Sequence, residues 1–166
     1  MKKSISLALV LALCAVCAGT SFSQVSTTQT VNLQVNSIQR IAVTGGPVSL
    51  TITNGTAGTD ALQAVSDAST SYSITHNSTT PLRMTANLDA ALGAGYQLQI
   101  NLASNKGTSS GTVDISNATS GSAVAVVTAI AAGADANRTI TYTFSANASA
   151  GVLASTLKTV TLTLTN

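Results

Sequence analysis

Apolar and polar residues alternate along much of the chain with a period of two. The clearest example is the run Thr159-Val160-Thr161-Leu162-Thr163-Leu164-Thr165, in which every second residue is aliphatic and the others are threonines. A second example is Thr139-Ile140-Thr141-Tyr142-Thr143-Phe144. A period of two places alternate side chains on opposite faces of a β-strand. We therefore predict two half-buried strands here, paired antiparallel through a connection at 145–156.

The same alternation predicts further strands upstream. Short segments with an apolar residue at every second position lie at 31–35, 48–52, 71–75, 82–85, 96–101 and 113–115. A more continuous apolar run covers 122–130, and we interpret it as a buried strand although its alanines also fit a short helix. Clusters of Gly, Pro and Asn separate these segments, as is typical of turns. The one helical turn that we predict within the exported chain lies at 60–68, where Leu62 and Val65 are three residues apart.

Short strands with frequent turns are typical of an all-β sandwich or barrel. The 166 residues are enough for one domain with its own core and too few for two. We predict a single antiparallel β-sandwich over residues 24–166. Its apolar rows, represented by Leu98, Tyr142 and Leu162, face the core, and its Thr, Ser, Asn and Gln rows face solvent.

The first 23 residues have the composition of a secretory leader. Lys2 and Lys3 precede an uncharged apolar stretch at 5–18, and small residues follow up to Ser23. This is the three-part plan of a signal peptide. We predict that residues 1–23 are a signal peptide cleaved after Ser23, with cleavage after Ala18 as the alternative. The apolar stretch is shorter than the roughly 20 residues that cross a bilayer, so we predict a protein that is secreted or held at the cell surface, with no integral membrane segment in the mature chain.

The positions of the cysteines and of the charged residues indicate how the domain folds and which partners it lacks. Both cysteines, Cys14 and Cys17, lie in the predicted leader, so the mature domain is expected to fold without a disulfide. The formal net charge of +2 is carried by Lys2 and Lys3, because the remaining Lys and Arg residues equal the Asp residues in number. A neutral surface offers no field that attracts nucleic acid. We predict no nucleic-acid partner.

Side chains suited to catalysis are scarce. His76 is the single histidine, and we interpret it as a strand-end residue bonded to local backbone rather than as part of a catalytic triad. The aspartates are scattered singly, and we assign Asp60, Asp89 and Asp135 to turns and caps in loops. A calcium site from Asp135 and Asn137 would lack the spaced acidic series of a dedicated loop. We predict no catalytic, cofactor-binding or metal-binding residues, no cofactor and no enzymatic activity.

An apolar stripe follows the predicted cleavage site closely. Val31, Leu33 and Val35 alternate with polar residues, and a polar arm at 24–30 precedes them. Such a strand pairs within its own domain or completes the sheet of a neighbour by strand addition. We name Val31, Leu33 and Val35 as a candidate strand-exchange interface.

The C-terminal part of the chain resembles a known class of domain. The segments 140–144 and 159–164, bridged by a loop that contains Ala150-Gly151, together with the lysine-led leader, resemble the last two strands of immunoglobulin-like domains in bacterial secreted surface and fimbrial proteins. The resemblance implies an immunoglobulin-like β-sandwich. The chain departs from the commonest fimbrial subunits in lacking their cysteine pair, so the resemblance does not extend to their assembly by the fimbrial chaperone pathway.

These observations lead to an expected role. We expect a secreted, non-enzymatic structural or adhesive protein of the bacterial cell surface, as a subunit of an extracellular filament or pilus, which associates with itself or with another surface protein. The alternative is an extracellular binding module for a carbohydrate or protein partner. The low aromatic content, 3%, argues against sugar stacking and leaves a protein partner open.

Overall fold

The computed structural model describes residues 24–166, and the predicted signal peptide, residues 1–23, lies outside the described residues. Residues 36–166 form one compact unit, and 24–35 belong to a separate unit in which they form no strand. The strands of the described chain are β1 (Gln39–Thr44), β2 (Val65–His76), β3 (Leu82–Leu88), β4 (Tyr96–Leu102), β5 (Thr108–Ser109), β6 (Val113–Asp114), β7 (Val124–Ile130), β8 (Gly133–Ala146) and β9 (Val160–Thr165). A 3-10 turn, Ala148–Ala150, follows β8.

The strands form two antiparallel sheets, so the all-β prediction is confirmed. One sheet has the order β1-β2-β8-β4-β6, and the other has the order β5-β7-β3-β9. Within residues 24–166, no helix is both long enough and apolar enough to cross a membrane.

Buried residues from both sheets belong to one apolar cluster. Tyr72 and Ile74 of β2, Ile100 of β4 and Ile140 of β8 come from the first sheet, and Met84 of β3 comes from the second. Leu98 is buried in this cluster, and Tyr142 and Leu162 are half-buried against it. The alternation of the sequence therefore predicted correctly which face of these strands is apolar, because burial of that face is what stabilises a strand in water.

The predicted pairing of the two Thr-rich C-terminal segments is wrong. β8 lies between β2 and β4 in the first sheet, whereas β9 pairs with β3 in the second sheet. The chain between β8 and β9 therefore changes sheets instead of forming a hairpin. Alternation shows which face of a strand is apolar, but both strands would show the same pattern with any neighbour.

Three other local predictions differ from the structure. The predicted helical turn at 60–68 is wrong, because Leu62 forms a β-bridge with Gly55 and β2 begins at Val65. The segment 48–52 has the expected one-sided burial, with Val48 and Leu50 half-buried, but it pairs with no strand of the described chain. β1 was not predicted, since most of its side chains are exposed and its apolar pattern is short. Apart from the segment 31–35, the remaining predicted strands are present, including β7 in the alanine-rich run.

Candidate assembly surface

The N-terminal apolar row is exposed. Val31, Leu33 and Val35 expose 66%, 86% and 82% of their surface, and residues 24–35 form no strand. The prediction of a half-buried strand at 31–35 is therefore wrong for the single chain, because within the described residues no strand pairs with this segment. Three exposed apolar side chains at strand spacing make this segment a candidate for interaction with a partner. Its use as a strand-exchange interface stays a prediction.

The chain immediately after this row is held in place by Asn77, which follows β2. The Asn77 amide Nδ2 donates to the Asn36 carbonyl at 2.8 Å, and the Ile38 N–H donates to Asn77 Oδ1 at 2.7 Å. The Asn77 N–H also donates to the Ile38 carbonyl at 3.1 Å. These bonds extend the β1–β2 pairing, whose first pair is Gln39 with His76. Residues 36–38 thus have a defined position at the start of β1.

A second exposed apolar segment precedes β9, and the sequence reasoning missed it. Val152 and Leu157 are almost fully exposed. The start of the segment is anchored, since Tyr96 Oη donates to the Ala150 carbonyl at 3.0 Å. Gly95 is required beneath it, because its φ is +82° and a Cβ would lie 2.6 Å from the Ala150 Cβ. The sequence signal was available: Val152 lies in the predicted connection 145–156, and Leu157 directly follows it.

His76 is not placed for catalysis. It ends β2 with 2% of its surface exposed, as its predicted inward orientation requires. Neither ring nitrogen has a hydrogen-bond partner in the described structure, so the predicted bond to local backbone is wrong. With 2% of its surface exposed, this imidazole offers almost no face to a molecule in solution.

Asp135 was predicted to lie in a loop, and this prediction is wrong. It lies in β8 opposite Ile74 and is 3% exposed. Arg138 Nε lies 2.6 Å from Oδ1, while Ser104 Oγ and the Asn105 and Lys106 N–H groups donate to Oδ2. Burial alone would raise the pKa of Asp135, but these hydrogen bonds and the Arg138 charge outweigh it and hold the pKa below its ordinary value. The carboxylate ties the 104–106 loop to β8.

Asp60 and Asp89 have the loop roles that the sequence indicated. Asp60 accepts hydrogen bonds from the Ser149 N–H and hydroxyl, each at 2.8 Å, and so fastens the 3-10 turn. Asp89 accepts bonds from the Ala90 and Thr159 N–H groups at 2.9 and 3.2 Å. Within residues 24–166, no group of three or more His, Cys, Asp and Glu side chains is arranged to hold a metal ion.

A shallow cleft of about 450 Å³ is lined by residues from the segments 92–97, 114–117 and 145–147. Its carboxylate, Asp114, accepts bonds from Gln97 Nε2 at 2.9 Å and from the Ser116 hydroxyl and N–H. Burial would raise the pKa of Asp114, but these hydrogen bonds outweigh it and lower the pKa. Tyr96 also lines the cleft, and its ring stacks on Phe144 with centroids 6.5 Å apart. The cleft therefore offers a small polar surface with one aromatic ring. Its side chains Gln97, Asp114, Ser116 and Ser145 bond to one another.

Comparison of the chain with protein-family models and with curated proteins found no match in either case.

Proposed function

We propose that this protein is a secreted, non-enzymatic structural component of the bacterial cell surface that serves as a repeating subunit of an extracellular filament. The observation that carries the proposal is the exposed row Val31, Leu33 and Val35. The predicted signal peptide at 1–23 supports export, and it places the row close to the N-terminus of the mature chain.

We further propose that residues 36–166 are an immunoglobulin-like β-sandwich. The support is that two antiparallel sheets contribute side chains to one apolar cluster, which is the arrangement that two packed layers require. A domain of this kind that is preceded in the chain by a short apolar segment suits a subunit of a filament, in which each copy binds the next.

The energetics favour pairing of the apolar row with a strand edge over non-specific adhesion. Burial of Val31, Leu33 and Val35 contributes about 6 kcal/mol. Ordering the segment and joining two molecules costs more than this burial contributes. Net binding therefore needs the backbone hydrogen bonds that a strand gains when it adds to a sheet edge.

The charges are compatible with close packing of many copies. Arg138 is paired with Asp135, and the Lys158 ammonium donates to the Ala90 and Ala91 carbonyls. Outside the predicted leader, cationic and anionic side chains balance. Copies of such a domain do not repel one another at neutral pH.

The alternative function is an extracellular binding module, and the cleft beside Tyr96 is the observation that favours it. A sugar ring stacks on exposed aromatic faces, and Asn117 and Ser145 are polar side chains at the same cleft. The ring of Tyr96 is half-buried against Phe144, which leaves a smaller face than a dedicated sugar platform. A protein partner that covers the cleft is equally consistent with its polar lining.

Imaging of the protein as it is released by its producing cells tests the proposal. Negative-stain micrographs should show filaments or linear multimers, and mass spectrometry should place the N-terminus at Gln24. Single particles at every concentration, together with binding on a glycan array, would favour the alternative function. An N-terminus at Met1 would contradict export by signal-peptide cleavage.

A further inference from the structure

The second sheet has an open edge at β9. Within residues 24–166, β9 pairs with β3 on one side and with no strand on the other. Its inward residues Val160, Leu162 and Leu164 lie opposite Leu88, Ala86 and Met84 of β3. The three β3 residues are completely buried, whereas the three β9 residues are only half-buried. The apolar side chains of β3 are therefore fully covered by other residues, whereas those of β9 remain partly uncovered at the sheet edge.

The β9 edge also lacks the features that protect other sheet edges. β5 and β6 have two residues each, which is too short to template a partner. β1 carries the charged Arg40, and Ile41 is its one residue that is not exposed. β9 has six residues, Val-Thr-Leu-Thr-Leu-Thr, without charge, proline or glycine. An uncharged edge of this length with a half-buried apolar row is the edge most suited to accept another strand.

The N-terminal segment matches this edge in length, period and charge. Residues 30–36 have the sequence Thr-Val-Asn-Leu-Gln-Val-Asn, with three apolar residues at every second position, as in β9. No charged residue occurs between 24 and 39, so the segment and the edge are both neutral. Polar side chains at 32 and 34 would face solvent together with Thr161 and Thr163, while both apolar rows share the core side.

The donor comes from a second copy of the chain. Asn77 holds residues 36–38 in line with β1 through three hydrogen bonds. The apolar row ends at Val35, directly before the held segment, and β1 belongs to the first sheet whereas β9 belongs to the second. Addition of the row to a second copy leaves these hydrogen bonds in place.

We infer that residues 30–36 of one copy add to the free edge of β9 of a second copy, where Val31, Leu33 and Val35 complete the apolar row of Val160, Leu162 and Leu164. This inference rests on the proposed self-assembly and names the surface that accepts the strand. The donor strand and the acceptor edge are different surfaces of one molecule. The copy that donates its strand therefore keeps a free β9 edge, and the copy that accepts it keeps a free N-terminal strand. Such a heterologous contact extends into a filament unless its rotation closes a ring.

Disulfide trapping between two single-cysteine variants tests the inference. Cys14 and Cys17 are replaced by alanine, which leaves the full chain without cysteine. Asn32→Cys is mixed with Thr161→Cys or with Thr163→Cys, all of which alter exposed residues that the core does not need. Two acceptor positions are used because a disulfide requires Cβ atoms about 4 Å apart, and only directly opposed residues of adjacent strands meet this condition. The matched control is Ala42→Cys, an exposed position on β1.

We expect mild oxidation to give at least tenfold more mixed dimer with Thr161→Cys or Thr163→Cys than with Ala42→Cys. Equal yields, or preferential linkage to Ala42→Cys, would overturn the inference. So would a disulfide within one chain of a double variant that carries Asn32→Cys and Thr163→Cys. Filament formation by the cysteine-free background is scored separately: filaments without trapping at β9 refute the acceptor and leave self-assembly standing, and absence of any multimer refutes both.

Discussion

At the scale of single residues, Asp135 is a buried polar side chain that joins separate parts of the compact unit. It is buried in β8, and it joins Arg138 to the backbone of the 104–106 loop. All the groups that face the carboxylate are donors, and an ionised carboxylate binds them more strongly than a neutral acceptor does. Replacement of one carboxylate oxygen by a donor leaves the groups that face it without a partner inside the protein.

Asp135→Asn should lower the free energy of unfolding by about 2 kcal/mol at neutral pH, because a carboxylate that accepts several hydrogen bonds is replaced by an amide that also donates. Urea denaturation followed by circular dichroism measures this loss. Asp89→Asn, at an exposed loop position, is the control and should cost about 0.5 kcal/mol. Equal stability of wild type and Asp135→Asn would contradict the role assigned to this carboxylate.

Acid should destabilise the wild type, and Asp135 accounts for part of the effect. The pKa of Asp135 is lowered in the folded protein, so the unfolded chain takes up its proton first as the pH falls. The stability that this carboxylate contributes is complete above the unfolded pKa and is lost as the pH falls below about 4. Denaturation curves from pH 7 to pH 2.5 should show a smaller decline for Asp135→Asn than for the wild type; parallel curves would refute this.

Sequence reasoning misplaced this residue for a physical reason. Gly133-Ala134-Asp135-Ala136-Asn137 has the composition of a turn, and Asn137 does adopt a positive φ of 54°. The segment is nevertheless part of β8, because its partners come from β2 and from a loop some 30 residues earlier in the chain. Local composition contains no information on such distant partners. The loop roles of Asp60 and Asp89 were predictable because aspartate favours turns in any fold.

At the scale of secondary-structure elements, the period-two pattern predicted most strands and their apolar faces but not their neighbours. β8 and β9 carry similar Thr-aliphatic alternation and yet belong to different sheets. The segment 48–52 has the pattern and the one-sided burial of a strand without any strand partner in the described chain. Strand pairing depends on contacts between strands that are distant in the sequence. The residue pattern of one segment therefore does not predict its neighbour in the sheet.

The difference between β3 and β9 gives a prediction at this scale. Met84 and Leu164 are cross-strand partners, but Met84 is 0% exposed and Leu164 is half-buried. Met84→Ala should lower the free energy of unfolding of the isolated subunit by about 3 kcal/mol, and Leu164→Ala by about 1 kcal/mol. Urea denaturation at a concentration that keeps the subunits separate checks both values. Equal losses would show that the apolar layer is already complete beside β9.

At the scale of the whole molecule, apolar surface is distributed unevenly. The compact unit buries one apolar cluster drawn from both sheets, while the N-terminal row and the segment before β9 stay exposed. The sequence identified the N-terminal row by its alternation directly after a polar arm, and it left open whether the row pairs within its own domain or with a neighbour. It did not identify the accepting edge, since the incomplete burial of β9 is visible only once its partner is known to be β3.

Sedimentation velocity over a wide concentration range tests self-assembly through the N-terminal row most directly. The variant combines Val31→Asn, Leu33→Asn and Val35→Asn, and the control combines Thr28→Asn, Thr30→Asn and Asn32→Ser in the same segment. We predict that wild type and control sediment as a growing series of multimers, and that the variant stays monomeric with an unchanged circular dichroism spectrum. Multimers of the variant equal to those of the wild type, or a wild type that is monomeric at every concentration, would contradict the account.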